Sequence, residues 1–283
     1  MASVLNTNMA SISAQRYLTN AQNKLAASFE KLSSGSRINR AQDDTAGMGI
    51  SQKLTASINS TSMAMRNAND AIGVLQTAEG ALAEVSTMLQ RFRELAVQGA
   101  NPALSDDQLG FLKTEMQGLK AEIVAVADRT KFNGIQLLTA SATLKFQTGE
   151  TTTDTLDVKT VNIQSAATGF SQIQALFTSV DGLTGATLTV SSFTAMTTQI
   201  DDAITEIATQ RATFGSQVNR LGHNINNLSA LYENLSAANS RVMDTDYASE
   251  TASLTKTQIL QQAATAMLSQ ANSQPNVVLA LLK

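Results

Sequence analysis

The stretch LTASINSTSMAMRNANDAIGVLQTAEGALAEVSTMLQRFRELAVQG, from Leu54 to Gly99, carries one repeat from end to end. Leu54, Thr61, Ala68, Leu75, Leu82, Leu89 and Ala96 recur every seven residues, which sets them on one seam of a very long helix facing a partner. The flanking seam shifts halfway. Ile58, Met65 and Ile72 lie four residues after a seam position, whereas Ala78, Val85 and Phe92 lie three after, so the buried face turns past Leu75. No proline interrupts residues 43–99, and the first stop is Gly99-Ala100-Asn101-Pro102, where proline forces Asn101 off helical angles. A helix of about 55 residues is roughly 80 Å long at about 1.5 Å per residue. A compact chain of this size would be only about 50 Å across. The reading is therefore an elongated, coiled-coil-like bundle of long helices rather than an ordinary globule.

Composition narrows the class. Only 4% of the 283 residues are aromatic and tryptophan is absent, so the core is aliphatic and thin. A formal charge of -3 without a lysine or arginine run gives no electrostatic reason to expect nucleic acid or an anionic membrane. Without cysteine there is no disulfide, thiolate metal site or thiol nucleophile. The opening residues show neither a basic start nor an apolar run, so no cleaved signal peptide is expected, and no apolar run reaches the length of a membrane span.

Upstream of the long helix, Val4, Leu18, Leu25 and Leu32 keep a weak heptad, with Thr7, Ala14, Ala21 and Ser28 as its companion seam. These small residues bury too little apolar surface to offset backbone entropy of about 1 to 2 kcal/mol per residue, so this helix needs a partner. Gly35 reads as a left-handed cap and residues 39–44 as a polar break and hinge. Downstream, Ser105-Asp106-Asp107-Gln108 is a capping box opening a second helix. Leu109, Leu112, Met116, Leu119, Ile123 and Val126 then alternate in steps of three and four, so this helix folds back along the first until Asn133-Gly134.

From Thr139 to Phe193 threonine, serine and glycine dominate, and alternation at Leu144-Lys145-Phe146, Leu156-Asp157-Val158 and Val161-Asn162-Ile163 predicts a small β-ribbon, with Leu188-Thr189-Val190 as a further strand. From Thr194 the heptad returns through Ile207, Phe214, Leu221, Leu228, Leu235 and Val242, a second helix of about 75 Å. After Asp244 and Asp246 comes a charge-poor tail whose apolar line is Leu260, Ala263, Ala264, Met267 and Ala271. Two weak terminal helices flanking two strong central ones predict that the ends pair with each other and with neighbouring copies. The expected divisions are 1–43, an N-terminal inner helix and linker; 44–138, the first half of the bundle; 139–193, a short variable region; 194–243, the second long helix; and 244–283, a C-terminal inner helix.

Several motifs carry a resemblance. Leu32-Ser33-Ser34-Gly35-Ser36-Arg37-Ile38-Asn39 with Asp43-Asp44, Gln76-Thr77-Ala78-Glu79-Gly80-Ala81-Leu82, and the run from Leu89 to Gln98 resemble the amino-terminal signature of bacterial flagellin. Phe132-Asn133-Gly134 continues it, while Gln258-Ile259-Leu260-Gln261-Gln262-Ala263 and Met267-Leu268-Ser269-Gln270-Ala271-Asn272 resemble the carboxy-terminal one. The resemblance implies a structural subunit of the flagellar filament, exported unfolded to the cell exterior, with the paired terminal helices forming the inner layer of the filament. Its implied partners are further copies of itself, an export chaperone, the cap and hook-junction proteins, and Toll-like receptor 5. Polymerisation falls on the terminal helices, with Leu18, Leu25 and Leu32 facing Leu260 and Met267. The receptor surface falls on Gln90, Arg91, Leu95 and Glu115, beside a Phe92 expected to reshape it. Variable outer domains are expected to be missing.

Other features read as structure. His223 is the only histidine and cannot begin a usual zinc set; no cofactor is expected. Asp43-Asp44 and Asp106-Asp107 lie at helix starts, where carboxylates complement the helix dipole. Asn59, Asn227 and Asn234 match the N-glycosylation pattern but within long helices; threonines from Thr139 to Thr198 are candidates for O-linked sugar. No nucleophile, base and orienting group recur at a catalytic spacing, so no enzyme is expected. The rival readings are a hook-filament junction protein and a coiled-coil signalling module.

Overall fold

The computed structural model describes residues 7–165 and 170–280, with Ala186 and residues 275–280 described through their backbone alone. The order is α1 (Met9–Ser34), α2 (Thr45–Gly99), α3 (Asp106–Arg129), β1 (Lys131–Phe132), β2 (Ile135–Gln136), β3 (Thr143–Gln147), β4 (Thr155–Lys159), α4 (Ser171–Gly182), a 3-10 turn (Gly185–Thr187), α5 (Val190–Met243) and α6 (Tyr247–Ala280). The chain forms two compact units, one of Asn59–Tyr232 and one of Met1–Ile58 with Glu233–Lys283.

The central unit, Asn59–Tyr232, is built on the seam of α2. Thr61, Ala68, Leu75, Leu82, Leu89 and Ala96 are all buried, as are Ala78, Val85 and Phe92 after the shift. Leu109, Met116 and Ile123 of α3 and Ile200, Ile207 and Phe214 of α5 belong to the same core. Helix α2 thus needs two partners, which widens its apolar face beyond a coiled-coil seam. It ends at Gly99 ahead of Pro102, and packing holds that position to glycine: a Cβ at Gly99 would lie 2.4 Å from Cδ1 of Phe193. The reciprocal Ser105–Gln108 capping box opens α3 as expected. At its far end Asn133 and Gly134, at φ 48° and 81°, make the tight turn between β1 and β2, the twist that two-residue hairpins favour.

The small ribbon is β3 paired antiparallel with β4, Leu144 opposite Val158 and Phe146 opposite Leu156. Two expected strands fail. Val161 and Ile163 donate their N–H groups to the carbonyls of Leu137 and Leu138, so residues 161–163 form an isolated bridge to Thr139 rather than extending the ribbon. Leu188-Thr189-Val190 is the exit of a 3-10 turn and the first residue of α5, with the Thr189 hydroxyl next to Ser191 and Ser192. Between them lies a helix the alternation did not reveal. Helix α4 buries Ile173, Leu176, Phe177 and Val180. Its own N-cap, Phe170, supplies no side-chain bond, and the carboxylate of Glu206 on α5 takes that role, accepting from the Ile173 N–H at 3.3 Å. Burial raises the Glu206 pKa above its ordinary value, against the lowering effect of the Ile173, Gln172 and Ser171 N–H groups. Lys120 of α3 pairs with Asp181 and lies 5.5 Å from the Phe177 ring centre, fastening the other end of α4.

The terminal unit is made differently. Helix α1 begins under Asn8, whose side chain accepts from the Ser11 N–H at 3.0 Å and donates to the Ala271 carbonyl at 2.8 Å. It ends at Gly35, at φ 70°, whose N–H returns to Lys31. Arg37 N–H then reaches the Met243 carbonyl, Thr245 N–H reaches the Gly35 carbonyl at 3.0 Å, and the Arg37 guanidinium caps Val242 at 2.8 Å. The turns that leave α1 and enter α6 are therefore hydrogen-bonded to each other. Asp43 accepts from the Arg40 and Asn39 N–H groups, and Asp44 caps α2 by accepting from Gly47 N–H at 2.8 Å. Val4, the first heptad position, lies outside the described residues.

Candidate functional surfaces

Helices α1 and α6 pair antiparallel, with small residues at the buried centre of the contact. Among the described side chains, the buried residues of α1 are Ala14, Ala21 and Ser28, and those of α6 are Thr257 and Ala271. Small side chains let two helix axes approach closely, and each removes little apolar area from water. Leu18, Leu25 and Leu32 are half-buried, whereas Leu260 and Met267 remain 50% and 65% exposed. The expectation that the leucines of α1 meet Leu260 and Met267 within one chain is thus corrected: the small companion seam makes the intrachain contact. An open groove of about 540 Å3 runs along one side of the pair, rimmed by Tyr17, Lys24, Leu260 and Met267.

The second surface lies where α2 and α3 run antiparallel. Arg91 donates from Nε and Nη2 to Oε1 of Glu115 at 3.0 and 2.8 Å, and from Nη1 to Oε2 of Glu94 at 2.7 Å. The two carboxylates, Glu94 first, raise the Arg91 pKa above its ordinary value. Gln90, Arg91 and Glu115 are exposed; Arg91 and Glu115 are in contact, and Gln90 lines a shallow depression with Arg93, Glu94, Val97 and Gln98. Leu95 is not with them: it is 1% exposed and belongs to the core, as does Phe92 at 0%, which therefore packs inside rather than reshaping the surface. Glu94, which the sequence reading left out, completes the cluster; its spacing of three from Arg91 was the signal. Phe111 on α3, four residues before Glu115, stands 73% exposed beside it.

His223 is exposed on α5. Among the described residues no three histidine, aspartate or glutamate side chains are placed to hold a metal ion, and no helix is long and apolar enough to cross a membrane.

The two helical regions have counterparts in one family. Residues 5–143 match the bacterial flagellin N-terminal helical region and residues 197–282 the bacterial flagellin C-terminal helical region. The chain belongs to the bacterial flagellin family. It is 38% identical over 302 residues to the flagellin of Bacillus subtilis strain 168, covering 99% of each. It is 40% identical over 281 residues to that of Halalkalibacterium halodurans, covering 99% of this chain and 100% of the other. A putative flagellar hook-associated protein from Vibrio parahaemolyticus, at 16% identity and a TM-score of 0.59 over 71% of this chain, shares the fold. The stretch outside both matched regions contains β4 and α4 entire. As a flagellin the chain is a structural subunit of the flagellar filament, a self-assembling motility protein and not an enzyme.

Proposed function

We propose that the chain polymerises through α1 and α6, which form the inner layer of the filament, while residues 44–138 and 194–243 form the wall around it and 139–193 a short variable region on it. The observation that carries this is the exposure of Leu260 and Met267 on a helix whose only charges are Glu250 and Lys256. An apolar edge with so few charges is suited to being covered by neighbouring copies. Leu18, Leu25 and Leu32 complete the assembly set. The subunit is exported through the flagellar secretion apparatus to the cell exterior, with an export chaperone, the cap and the hook-junction proteins as partners on the way. Seeded polymerisation tests the reading: the full chain elongates seeds into filaments visible by electron microscopy, and a chain lacking residues 251–283 does not.

The ion cluster of Arg91, Glu94 and Glu115, with Gln90, supports a second role as the surface read by Toll-like receptor 5. Leu95 then acts from beneath, fixing the backbone that presents Arg91. Receptor signalling by an Arg91→Ala monomer, at equal concentration with the unchanged chain, tests it.

A further inference from the structure

The groove beside the α1–α6 pair carries charge at one end and apolar walls along the rest. The helices are antiparallel, since Asn8 at the start of α1 bonds the Ala271 carbonyl late in α6 while Gly35 adjoins Tyr247. Lys24 of α1 therefore lies level with Thr257 at one end of the groove, and Ala10 lies level with Ala271 at the other. Lys24 is the only charged residue that lines it. On α6, Lys256 stands one turn before Leu260 on the same side, which brings a second ammonium group toward that end. Among the described residues neither lysine pairs with a carboxylate. Glu30 is taken by Arg40, and Glu250 lies about 80° round α6 from Leu260. The walls beyond are Leu260, Met267 and alanines, with Tyr17 and Asn20 on the α1 rim. The hydroxyls along them are spent on their own helices, Ser13 donating to the Ala10 carbonyl and Thr257 to that of Ser253.

We propose that in the free subunit this groove binds a single-chain anionic amphiphile, a free long-chain carboxylate, with its head at Lys24 and Lys256 and its chain running past Leu260 and Met267 toward Ala271. The dimensions choose the occupant. From Thr257 to Ala271 the groove is about 21 Å long at about 1.5 Å per residue. Its 540 Å3 spread over that length leaves a cross-section of about 26 Å2. A helix about 10 Å across needs about three times that section, so a partner helix does not seat in it. A polymethylene chain, whose carbons pack about 4 Å from their neighbours, does. With C–C bonds of about 1.5 Å such a chain advances about 1.3 Å per carbon, so about fourteen to sixteen carbons run the length of the groove. The charge chooses the head group. Two unpaired ammonium groups at one end repel each other, and an anion beside them removes that repulsion where a neutral or cationic head does not. Covering Leu260 and Met267, 50% and 65% exposed, supplies the rest of the affinity. The site goes beyond the filament role and does not rest on it: it needs only the folded pair of terminal helices, before a neighbouring copy arrives.

The test uses the full chain without seeds, titrated calorimetrically with tetradecanoate below the concentration at which it forms micelles. Saturable binding at a single site per chain is expected. Lys24→Glu is expected to weaken it about tenfold or more, as is tetradecyltrimethylammonium in place of the carboxylate. Lys145→Glu and Phe111→Gln, at exposed residues of the central unit, are expected to leave it unchanged. A diazirine-bearing tetradecanoate, photolysed on the unchanged chain and mapped by mass spectrometry, is expected to label peptides of α1 and α6 that line the groove, a readout that needs no variant to fold. Absence of saturable binding, equal binding of the cationic amphiphile, or label spread over the central unit would overturn the proposal. So would a Lys24→Glu variant that binds as the unchanged chain does.

Discussion

The two units of this flagellin hide opposite kinds of residue. In the central unit the buried set is Leu75, Leu82, Leu89, Phe92, Met116, Ile123, Ile207 and Phe214, large side chains on three helices and at most 2% exposed. In the terminal unit, among the described residues, Ile38 is the one large aliphatic side chain buried; the other buried residues are alanine, serine, threonine and Gly47. Many large apolar residues of α1 and α6 stand on the surface instead, Met9, Ile12, Tyr17, Phe29, Ile259, Leu260 and Met267 among them, while Leu18, Leu25, Leu32, Leu254 and Leu268 are half-buried. Full burial of a leucine or phenylalanine is worth about 1.5 to 3 kcal/mol, several times that of an alanine methyl. The central unit therefore holds its stabilising area inside, whereas the terminal unit leaves much of its own exposed, the area that the proposed polymer contact would cover.

The largest break in that comparison is removal of residues 251–283. Filament growth on seeds is expected to be lost outright, while helicity and cooperative melting of the remaining bundle persist. Filaments of normal length from the truncated chain would refute the division of labour. A molten monomer would show that the tail contributes to the bundle. Next in size is Phe92→Ala, expected to cost about 3 to 5 kcal/mol in denaturant unfolding because a ring at 0% exposure leaves a cavity among packed neighbours. Leu260→Ala, half exposed, is expected to leave monomer unfolding within about 0.5 kcal/mol and to slow or stop elongation. If the two variants changed places, with Leu260→Ala melting the monomer, the contrast would fail.

Gly99→Ala sharpens the same point at smaller cost. Its new methyl meets the Phe193 ring at 2.4 Å, and such overpacking costs about 1 to 3 kcal/mol. The accompanying variant Phe193→Leu is expected to recover part of that loss, which a purely helical effect of alanine would not produce. The glycines Gly80 and Gly118, with open space around them, are expected to accept alanine without loss.

A pH series distinguishes the units again. Burial raises the Glu206 pKa in the central unit, so the folded state favours its protonated form; this contribution is complete below the ordinary glutamate range and fades as pH rises through the folded value. The Arg40 and Asn39 N–H groups lower the Asp43 pKa in the terminal unit, so its contribution is present above the ordinary aspartate range and fades as pH falls through the folded value. Between about pH 4 and 6, Glu206→Gln is expected to flatten the melting temperature of the bundle against pH, and Asp43→Asn to leave it unchanged.

What the sequence made legible follows from how each residue declares itself. The α2 heptad is readable because one seam position recurs every seven residues through many turns with a single polar break at Thr61, and the Ser105 box and Asn133-Gly134 turn because their chemistry is local. Helix α4 was not, although Ile173, Leu176, Phe177 and Val180 keep a helical spacing, because its cap comes from Glu206, distant in the chain, and its surroundings are threonine-rich. Leu260 and Met267 were found as apolar, yet their direction depended on where α1 sits. Only the small residues Ala14, Ala21 and Ser28 marked that contact, and smallness is a weak signal in a sequence. Leu95 misled for the reverse reason: it follows Arg91 by one turn and shares its strip of sequence, but three helices meet there and widen the buried face of α2 to include it.

That meeting of surface and core gives the smallest stability effect and the most selective test. Arg91 and Glu115 are about half exposed, so their pairing lies in solvent-screened surroundings, where surface pairs contribute little to stability. Arg91→Ala and Glu115→Ala are accordingly expected to leave unfolding close to that of the unchanged chain and to lower receptor signalling. Leu95→Ala removes a core side chain and is expected to cost about 2 to 5 kcal/mol, so any signalling loss in that variant mixes recognition with unfolding. The two kinds of variant separate by measuring signalling at a temperature well below the melting point of Leu95→Ala. If recognition lies in the ion cluster, the Arg91 variant stays defective there while the Leu95 variant recovers in proportion to its folded fraction. Unchanged signalling from both Arg91→Ala and Glu115→Ala at equal monomer concentration would take the receptor surface away from this cluster and leave the ion pairs as a fastening of α3 onto α2.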